Sequence, residues 1–125
     1  MIPANVVDLK TFVPAKDFQV SAQYYKDLGF TLNRDEDGIK EFQIGAFRFL
    51  LQDYWVEDWA GNFMMYLQVD DLEAWWKHIR QTQVTEKYEG IRATAPKLQP
   101  DGTSIVHLTD PAGVCWNIVQ KPRQT

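Results

Sequence analysis

The chain has 125 residues, of which 45% are hydrophobic and 14% aromatic, and its net charge is −4. This length predicts one domain over residues 1–125. The acidic balance argues against a nucleic-acid partner and mildly favours a neutral or cationic one. No apolar run approaches the roughly 20 residues that cross a bilayer, so no membrane partner is expected. A single cysteine, Cys115, and an N-terminus without a signal peptide predict a cytoplasmic protein.

The first elements along the chain are a strand and a helix. Residues 6–13 are rich in β-branched and aromatic side chains and lead into Pro14, which cannot donate to a strand ladder. Asp17 is a typical helix N-cap residue, and apolar residues then recur at helical spacing as far as Leu28. Gly29 supplies the left-handed residue that ends a helix. The pattern therefore predicts a helix that begins after Asp17 and ends at Leu28.

Two hairpins follow this helix. The predicted strands are residues 31–35, 39–44 and 47–53, with turns at 37–38 and 45–46. The next segment, residues 54–61, reads as irregular and carries three aromatic residues, Tyr54, Trp55 and Trp59. The element order of the first half is therefore β-α-β-β-β.

The second half repeats that order. Its predicted strands are residues 62–69, 88–95, 103–109 and 114–120. Asp70 is the predicted N-cap of a second helix, with Glu73 completing a capping box and the helix running to about Gln81. The turn Asp110-Pro111-Ala112-Gly113 joins the last two strands. Because the order matches, the sequence predicts two βαβββ modules, at about residues 5–55 and 62–121.

Three segments together carry a family resemblance. They are Phe12-Val13-Pro14-Ala15-Lys16-Asp17 followed by Ser21, Tyr24-Tyr25 and Leu28-Gly29-Phe30; the junction Leu67-Gln68-Val69-Asp70-Asp71-Leu72; and the turn Thr109-Asp110-Pro111-Ala112-Gly113. They are similar, in order and spacing, to segments of the glyoxalase/bleomycin resistance protein/dioxygenase (vicinal oxygen chelate) superfamily. Residues 95–99 resemble a loop of its bleomycin-resistance branch.

The resemblance implies an α+β fold. In that fold two βαβββ modules curl into an incomplete barrel around a cavity, with the helices outside. It also implies a homodimer whose cavities lie at or near the subunit interface.

The resemblance also indicates which positions hold a metal ion in other members, and here they are Lys10, Met64 and Asn117. An ammonium, a thioether and an amide do not make a site for a hard cation. His78, on the second helix, and His107, on a strand, do not supply the missing metal ligands. We therefore predict no metal, no cofactor and no catalytic residue of the family's usual kind.

Strand alternation predicts which side chains line the cavity. If Lys10, Met64 and Asn117 keep the old ligand positions, then Phe12 and Tyr66 face the cavity with them, as do Asp8, Gln68, Cys115 and Val119. Side chains on the opposite faces (Thr11, Val13, Met65, Leu67, Trp116 and Ile118) meet the helices. Further lining candidates are Phe42, Phe49, Trp55, Trp59 and His107, and core packing is the alternative role of each aromatic residue. A buried, inert thiol is the alternative for Cys115.

These residues predict a metal-independent binding protein of the bleomycin-resistance kind, which sequesters a small aromatic or cationic compound in a dimer-interface cavity. One departure weighs against bleomycin itself, because Asp101 stands where relatives commonly carry Trp. Two alternatives stay open. One is a metal-free enzyme with Lys10 or His107 as acid or base, which a depressed lysine pKa would support. The other is a protein-interaction module that uses the aromatic loop Tyr54 to Trp59.

Overall fold

The computed structural model describes residues 1–122, so the last three residues of the predicted domain lie outside it. The elements in chain order are β1 Phe12–Pro14, α1 Phe18–Leu28, β2 Thr31–Glu36, β3 Ile39–Ile44, β4 Phe47–Gln52, α2 Glu57–Ala60, β5 Met64–Gln68, α3 Leu72–Thr82, α4 Val84–Lys87, β6 Lys97–Leu98, β7 Ser104–Thr109 and β8 Cys115–Gln120. None of the helices in this range is long and apolar enough to cross a membrane.

The strands form two four-stranded mixed sheets. Sheet A has the order β1-β4-β3-β2 and sheet B the order β5-β8-β7-β6. In each sheet the first strand pairs in parallel with the last strand of its unit, and the other pairs are antiparallel. Helix α1 packs on β4, and α3 packs on β7 and β8. Two successive βαβββ units thus build an α+β fold, which confirms the predicted fold class, and neither sheet closes into a barrel over the described residues.

Helix α1 begins and ends where its sequence predicts. The Asp17 carboxylate accepts the Val20 amide at 3.2 Å and so satisfies one of the free amides of the first turn. Gly29 has a φ of 103°, and the Phe30 amide donates back to the Tyr25 carbonyl at 3.0 Å. The Phe30 ring then stacks on Tyr25, with 5.6 Å between centroids. The stop is therefore fixed by a glycine conformation and an apolar contact together.

The predicted cap of the second helix is wrong by one residue. Asp71, not Asp70, accepts the Ala74 amide at 3.0 Å. The chain is still in the ladder at Val69, whose amide donates to the Val119 carbonyl, so the helix starts one residue later. With the cap at Asp71, Glu73 is one residue too early to complete a capping box.

The predicted strand at residues 88–95 is also wrong. Residues 92–94 do run beside β7, but threonine hydroxyls accept two of the hydrogen bonds that backbone carbonyls would accept in a strand ladder. The Arg92 amide donates to Thr109 Oγ1 at 2.8 Å and the His107 amide to Thr94 Oγ1 at 3.2 Å. Only an isolated bridge forms, between Ala93 and Leu108. On the side of β7 away from β8, the strand that pairs with it is the two-residue β6.

The first strand is much shorter than predicted. Residues 6–11 lie outside any strand, and β1 pairs with β4 only from Phe12, opposite Leu50, to Pro14, opposite Gln52. Continued backwards, that register would bring Leu9 opposite Phe47, where β4 begins. Residues 6–8 therefore have no strand beside them within a single chain, and high β-propensity alone does not make a strand.

An aromatic cluster occupies the centre of the core. Tyr25 and Phe30 from the first helix and its stop meet Phe42 and Phe49 from sheet A and Trp116 from sheet B. Ring centroids lie 5.1–6.1 Å apart in stacked, tilted and edge-to-face arrangements. Such pairs stabilise beyond their buried area, by about 0.5–1.5 kcal/mol each.

A buried polar network crosses this cluster. Tyr25 Oη donates to the Asp110 carboxylate at 2.5 Å and accepts Trp116 Nε1–H at 3.0 Å. The same carboxylate accepts the amides of Ala112 and Val114, each at 2.9 Å. Burial raises the pKa of Asp110 to about 6, although these hydrogen bonds favour the ionised form. Helix α1 is thereby tied to the turn between β7 and β8.

This pKa predicts a pH dependence of stability that the exchange Asp110→Asn removes. Because the folded-state pKa lies above the ordinary 3.8, the stabilisation is fully present below pH 4 and is lost as the pH rises through 6. Urea unfolding of wild type and Asp110→Asn from pH 4 to pH 7 should show the wild type losing up to about 3 kcal/mol relative to the variant. At the exposed Asp101, whose pKa is lowered by the Thr103 amide, the same exchange should give the opposite sign. Parallel curves for wild type and Asp110→Asn would contradict the raised pKa.

Candidate functional site

One face of sheet B points away from the helices, and we call it the open face. Register places its side chains in rows across β5, β8 and β7: Met64, Cys115 and Thr109; Tyr66, Asn117 and His107; Gln68, Val119 and Ile105. Met64 and Tyr66 are 68% and 63% exposed. Three predicted site residues, Tyr66, Asn117 and His107, therefore lie side by side in the middle row.

The alternate residues of the same strands face the core. Trp116 and Ile118 are buried, and Met65 and Leu67 pack against the core, as strand alternation predicts. In sheet A, Val13 and Leu51 are likewise buried. Thr11 does not follow its prediction, because it precedes β1 and is exposed.

Phe42 and Phe49, two predicted lining residues, lie mainly in the core. They are paired across β3 and β4, stack with centroids 5.9 Å apart and are almost completely buried. Phe49 also reaches a cleft between the two sheets. This cleft of about 340 Å³ is lined by residues 44 and 47–49 of sheet A, residues 65–68 of β5, and Trp116. It is mostly apolar and lies beside Tyr66.

Phe12 belongs to the outer face of sheet A, and the side chain of Lys10, which precedes β1, reaches Glu41 on that face. Phe12 lies in a row with Leu50 and Glu41, and it is partly exposed. Lys10 Nζ lies 2.8 Å from the Glu41 carboxylate and 3.1 Å from that of Asp8. Glu41 is only 5% exposed by surface area, so its negative charge needs this partner.

The electrostatics of this ion pair bear on the lysine's chemistry. Hydrogen bonds to Glu41 and then Asp8 raise the pKa of Lys10, and the hydrogen bond from Lys10 lowers the pKa of Glu41. A lysine that acts as a base near neutral pH needs the opposite shift. Lys10 is thus held as a permanently charged ammonium.

Trp55 and Trp59 lie in the loop between the two units. Trp55 Nε1–H donates to the Ala112 carbonyl at 3.2 Å, and Lys16 Nζ lies 4.7 Å from the centre of its ring. Trp55 therefore anchors the loop to the β7–β8 turn. Trp59 is exposed and makes edge-to-face contacts with Tyr54 and Phe63.

The other residues singled out from sequence have simpler surroundings. His78 Nε2 lies 2.6 Å from the Leu28 carbonyl and so links α3 to the end of α1. Burial raises the pKa of the Cys115 thiol, which disfavours the reactive thiolate. Asp101 accepts the Thr103 amide at 2.9 Å and shapes the turn before β7.

A match to a family model identifies the superfamily of this chain. The model of the glyoxalase/bleomycin resistance protein/dioxygenase superfamily matches residues 9–118, almost the whole chain. The chain belongs to this superfamily.

Similar proteins lie in the bleomycin-resistance branch of the superfamily. A bleomycin resistance protein of Klebsiella pneumoniae is 27% identical over 113 residues, covering 86% of this chain and 87% of the relative. Among solved structures, a bleomycin resistance determinant encoded on the transposon Tn5 has a TM-score of 0.78 and 26% identity, covering 92% of this chain and 98% of that one. A bleomycin-binding protein complexed with bleomycin has a TM-score of 0.78 and 25% identity, covering 93% and 99%.

The residues at the superfamily's metal positions do not fit a divalent ion. The ammonium of Lys10 is committed to two carboxylates, and Asn117 Nδ2 donates to the Met65 carbonyl at 3.2 Å. Met64 offers a soft thioether, which is a poor donor for a hard cation. Within residues 1–122 no three His, Cys, Asp or Glu side chains gather to form another cation site.

Sequence reasoning missed two parts of this region. Glu41 was not recognised, although it shares one face of β3 with Ile39 and Gln43. Placing it beside Lys10 requires the register between strands. The cleft residues Phe47 and Arg48 were also missed. Phe47 precedes Phe49 by two residues and so shares its face of β4, which was the available signal.

Replacing Lys10 by Met should raise the pKa of Glu41, because the hydrogen-bonded ammonium that lowers it is gone. Carboxyl titration by ¹³C NMR would measure this. The lowered pKa stabilises the fold above pH 4.5 and this contribution fades as the pH falls, so Lys10→Met should lose stability mainly above that pH. Lys16→Met, which removes a cation over Trp55, is the matched control and should leave Glu41 unchanged. An unmoved Glu41 in Lys10→Met would show that the pair does not form.

Proposed function

We propose that this protein binds and sequesters a small aromatic or cationic compound without a metal ion. The observation that carries the proposal is the open face of sheet B with its neighbouring cleft. Exposed Tyr66 borders an apolar space large enough for a flat ring system, and exposed Met64 lies on the same face of β5. Large apolar side chains that face solvent together are typical of binding surfaces.

The relatives support binding as the mode of action. The similar solved structures include a bleomycin-binding protein in complex with its drug. A protein of this kind acts by stoichiometric capture, in which no bond is made or broken. The ligand of this chain need not be bleomycin, because Asp101 shapes a turn where relatives commonly place an aromatic ring.

We further propose that two copies of the chain complete the cavity. A single chain leaves Met64, Tyr66 and His107 of the open face exposed, although Val119 on that face is buried. The predicted lining residues Lys10 and Phe12 lie at the other sheet. The N-terminal segment also exposes apolar side chains, with Val7 98% exposed. A second copy that covers this segment and faces sheet B would bury both surfaces and enclose the ligand.

The alternative of a metal-free enzyme has less support. The raised pKa of Lys10 removes the base that this alternative needed. His107 is exposed on the open face, where it can contact a ligand through its ring. We therefore assign His107, Asn117 and Tyr66 to ligand contact.

A thermal-shift titration of chelator-treated protein with metal-free and copper-bound bleomycin tests the proposal. Ligand at 100 times its Kd should stabilise the protein by about 2.7 kcal/mol, which corresponds to a shift of about 10 °C at this size. Tyr66→Ala should weaken binding by up to about tenfold through lost ring contact, while its exposed position leaves the melting temperature of the free protein unchanged. Val20→Ala, on the outer side of α1, is the control. No shift up to millimolar concentrations of either form would reject bleomycin as the ligand.

Sedimentation analysis tests the two-copy cavity. Val7→Asp combined with Leu9→Asp places two charges in the exposed apolar segment, and the dimer should dissociate to monomers because these charges would be buried at the interface. Lys26→Asp on the exposed surface of α1 is the charge control. A wild-type chain that sediments as a monomer at micromolar concentration would contradict this part of the proposal.

A further inference from the structure

The loop between the two units combines exposed aromatic rings with exposed carboxylates. Residues 53–59 read Asp-Tyr-Trp-Val-Glu-Asp-Trp, with three acidic and three aromatic residues and no basic one. Asp53, Glu57 and Asp58 are all exposed. Within the described part of the chain, the salt bridges formed by other acidic residues do not include these three.

Two rings of this loop face solvent as a pair. Tyr54 and Trp59 are 54% and 41% exposed, and their centroids lie 6.0 Å apart with an interplanar angle of 65°. Phe63 supports Trp59 from behind in an edge-to-face contact, also at 6.0 Å. The two rings thus offer adjacent exposed aromatic surface, and the face of an aromatic ring attracts cations.

The loop is held in place by the fold. The Tyr54 carbonyl accepts the Ala15 amide at 3.2 Å, and Trp55 is bonded to the Ala112 carbonyl. Ala60 is fully buried at the end of α2, and its amide donates to the Val56 carbonyl at 2.8 Å. The exposed pair is therefore preorganised, which lowers the entropy lost when a ligand binds.

The same loop already contacts a cation. Lys16 Nζ lies 4.7 Å from the centre of the Trp55 ring. This ammonium belongs to the chain and occupies Trp55, whereas the rings of Tyr54 and Trp59 remain open to solvent. The loop therefore has a second aromatic surface of the same electrostatic character, with carboxylates beside it.

We infer that Tyr54 and Trp59, with the carboxylates of Asp53, Glu57 and Asp58, form a subsite for a monovalent organic cation such as an ammonium, sulfonium or guanidinium group. Charge complementarity selects this occupant, because the surface is both aromatic and negative. The inference rests on the proposed function and deepens it by naming the charged group of the ligand. Phe63 leads directly into Met64 on the open face, so a ligand lying on that face could extend its cationic end to the loop.

Choline is a suitable probe, and its neutral isostere 3,3-dimethylbutan-1-ol is the control ligand. Tryptophan indole N–H signals would be followed by NMR, with the Trp59 signal assigned from Trp59→Phe. Choline should shift the Trp59 signal saturably, and the isostere should not. Calorimetry would measure affinity in the variants that lack the Trp59 signal. Tyr54→Leu combined with Trp59→Leu should weaken choline binding about tenfold, since two ring contacts are lost. Trp76→Leu on α3 should have no effect, and Trp59→Phe should retain most of the affinity.

The charges can be tested separately from the rings. Asp53→Asn, Glu57→Gln and Asp58→Asn together should weaken choline binding and remove most of its dependence on salt. Glu86→Gln with Glu89→Gln, near α4, changes a similar charge elsewhere and should do neither. Equal shifts from choline and its isostere would overturn the inference. So would a Trp59 signal that moves with protein concentration alone, because a second copy would then cover the loop.

Bleomycin binding separates this inference from the proposed function. If the loop variants bind bleomycin as the wild type does and choline fails to bind, the subsite is wrong while the sequestering function stands. If choline binds at Trp59 and no bleomycin binds at any concentration, the cation subsite stands and the drug-binding function fails.

Discussion

The architecture depends on one buried carboxylate, Asp110. It lies in the turn between β7 and β8 and receives the Tyr25 hydroxyl and two backbone amides, while Trp116 donates to the same hydroxyl. Tyr25 and Asp110 are 85 residues apart in sequence, so this bond joins the first unit to the second. A buried carboxylate is costly unless its hydrogen bonds are made, and all of these form only when α1 lies against the closing turn of sheet B. The network thus fixes how the two units pack, and the aromatic cluster fills the space around it.

That packing decides which side chains remain available for binding. Because α1 and α3 cover the inner faces of the two sheets, every second residue of β5 and β8 is left on the outer face. Trp116 is taken into the core, and its neighbour Asn117 is therefore presented outward beside Tyr66 and His107. The same logic takes Phe42 and Phe49 into the core, since they share the inner face of sheet A with Leu51, although Phe49 also lines the cleft. The binding face therefore consists of the strand side chains that do not pack into the core.

Sequence patterns predicted the parts of the fold that are determined locally. Asp17 and Gly29 bound α1 because a cap and a left-handed stop act within one turn of the chain, and the Asp110–Gly113 turn is similarly local. The errors lie where a distant partner decides. Asp71 rather than Asp70 caps α3 because Val69 is held by β8, and residues 92–94 fail to form a strand because threonine hydroxyls replace ladder bonds to β7. For the candidate site, alternation placed Tyr66 and Asn117 on one face. It did not reveal that Phe42 faces inward or that Glu41 pairs with Lys10, since both depend on the register between strands.

The ion pair at Lys10 and the loop at residues 53–59 have different electrostatic roles in the proposed site. At the position that the family resemblance predicts for a metal ligand, this chain carries an ammonium that is ion-paired with Asp8 and Glu41. A carboxylate already paired at 2.8 Å has little attraction left for a ligand cation, because displacing Lys10 would cost as much as the new contact returns. The carboxylates of Asp53, Glu57 and Asp58 have no such partner among the described salt bridges and are close in sequence to the exposed Tyr54 and Trp59 rings. The negative charge that we propose acts on a ligand therefore lies in the loop, whereas the carboxylates beside Lys10 are already ion-paired.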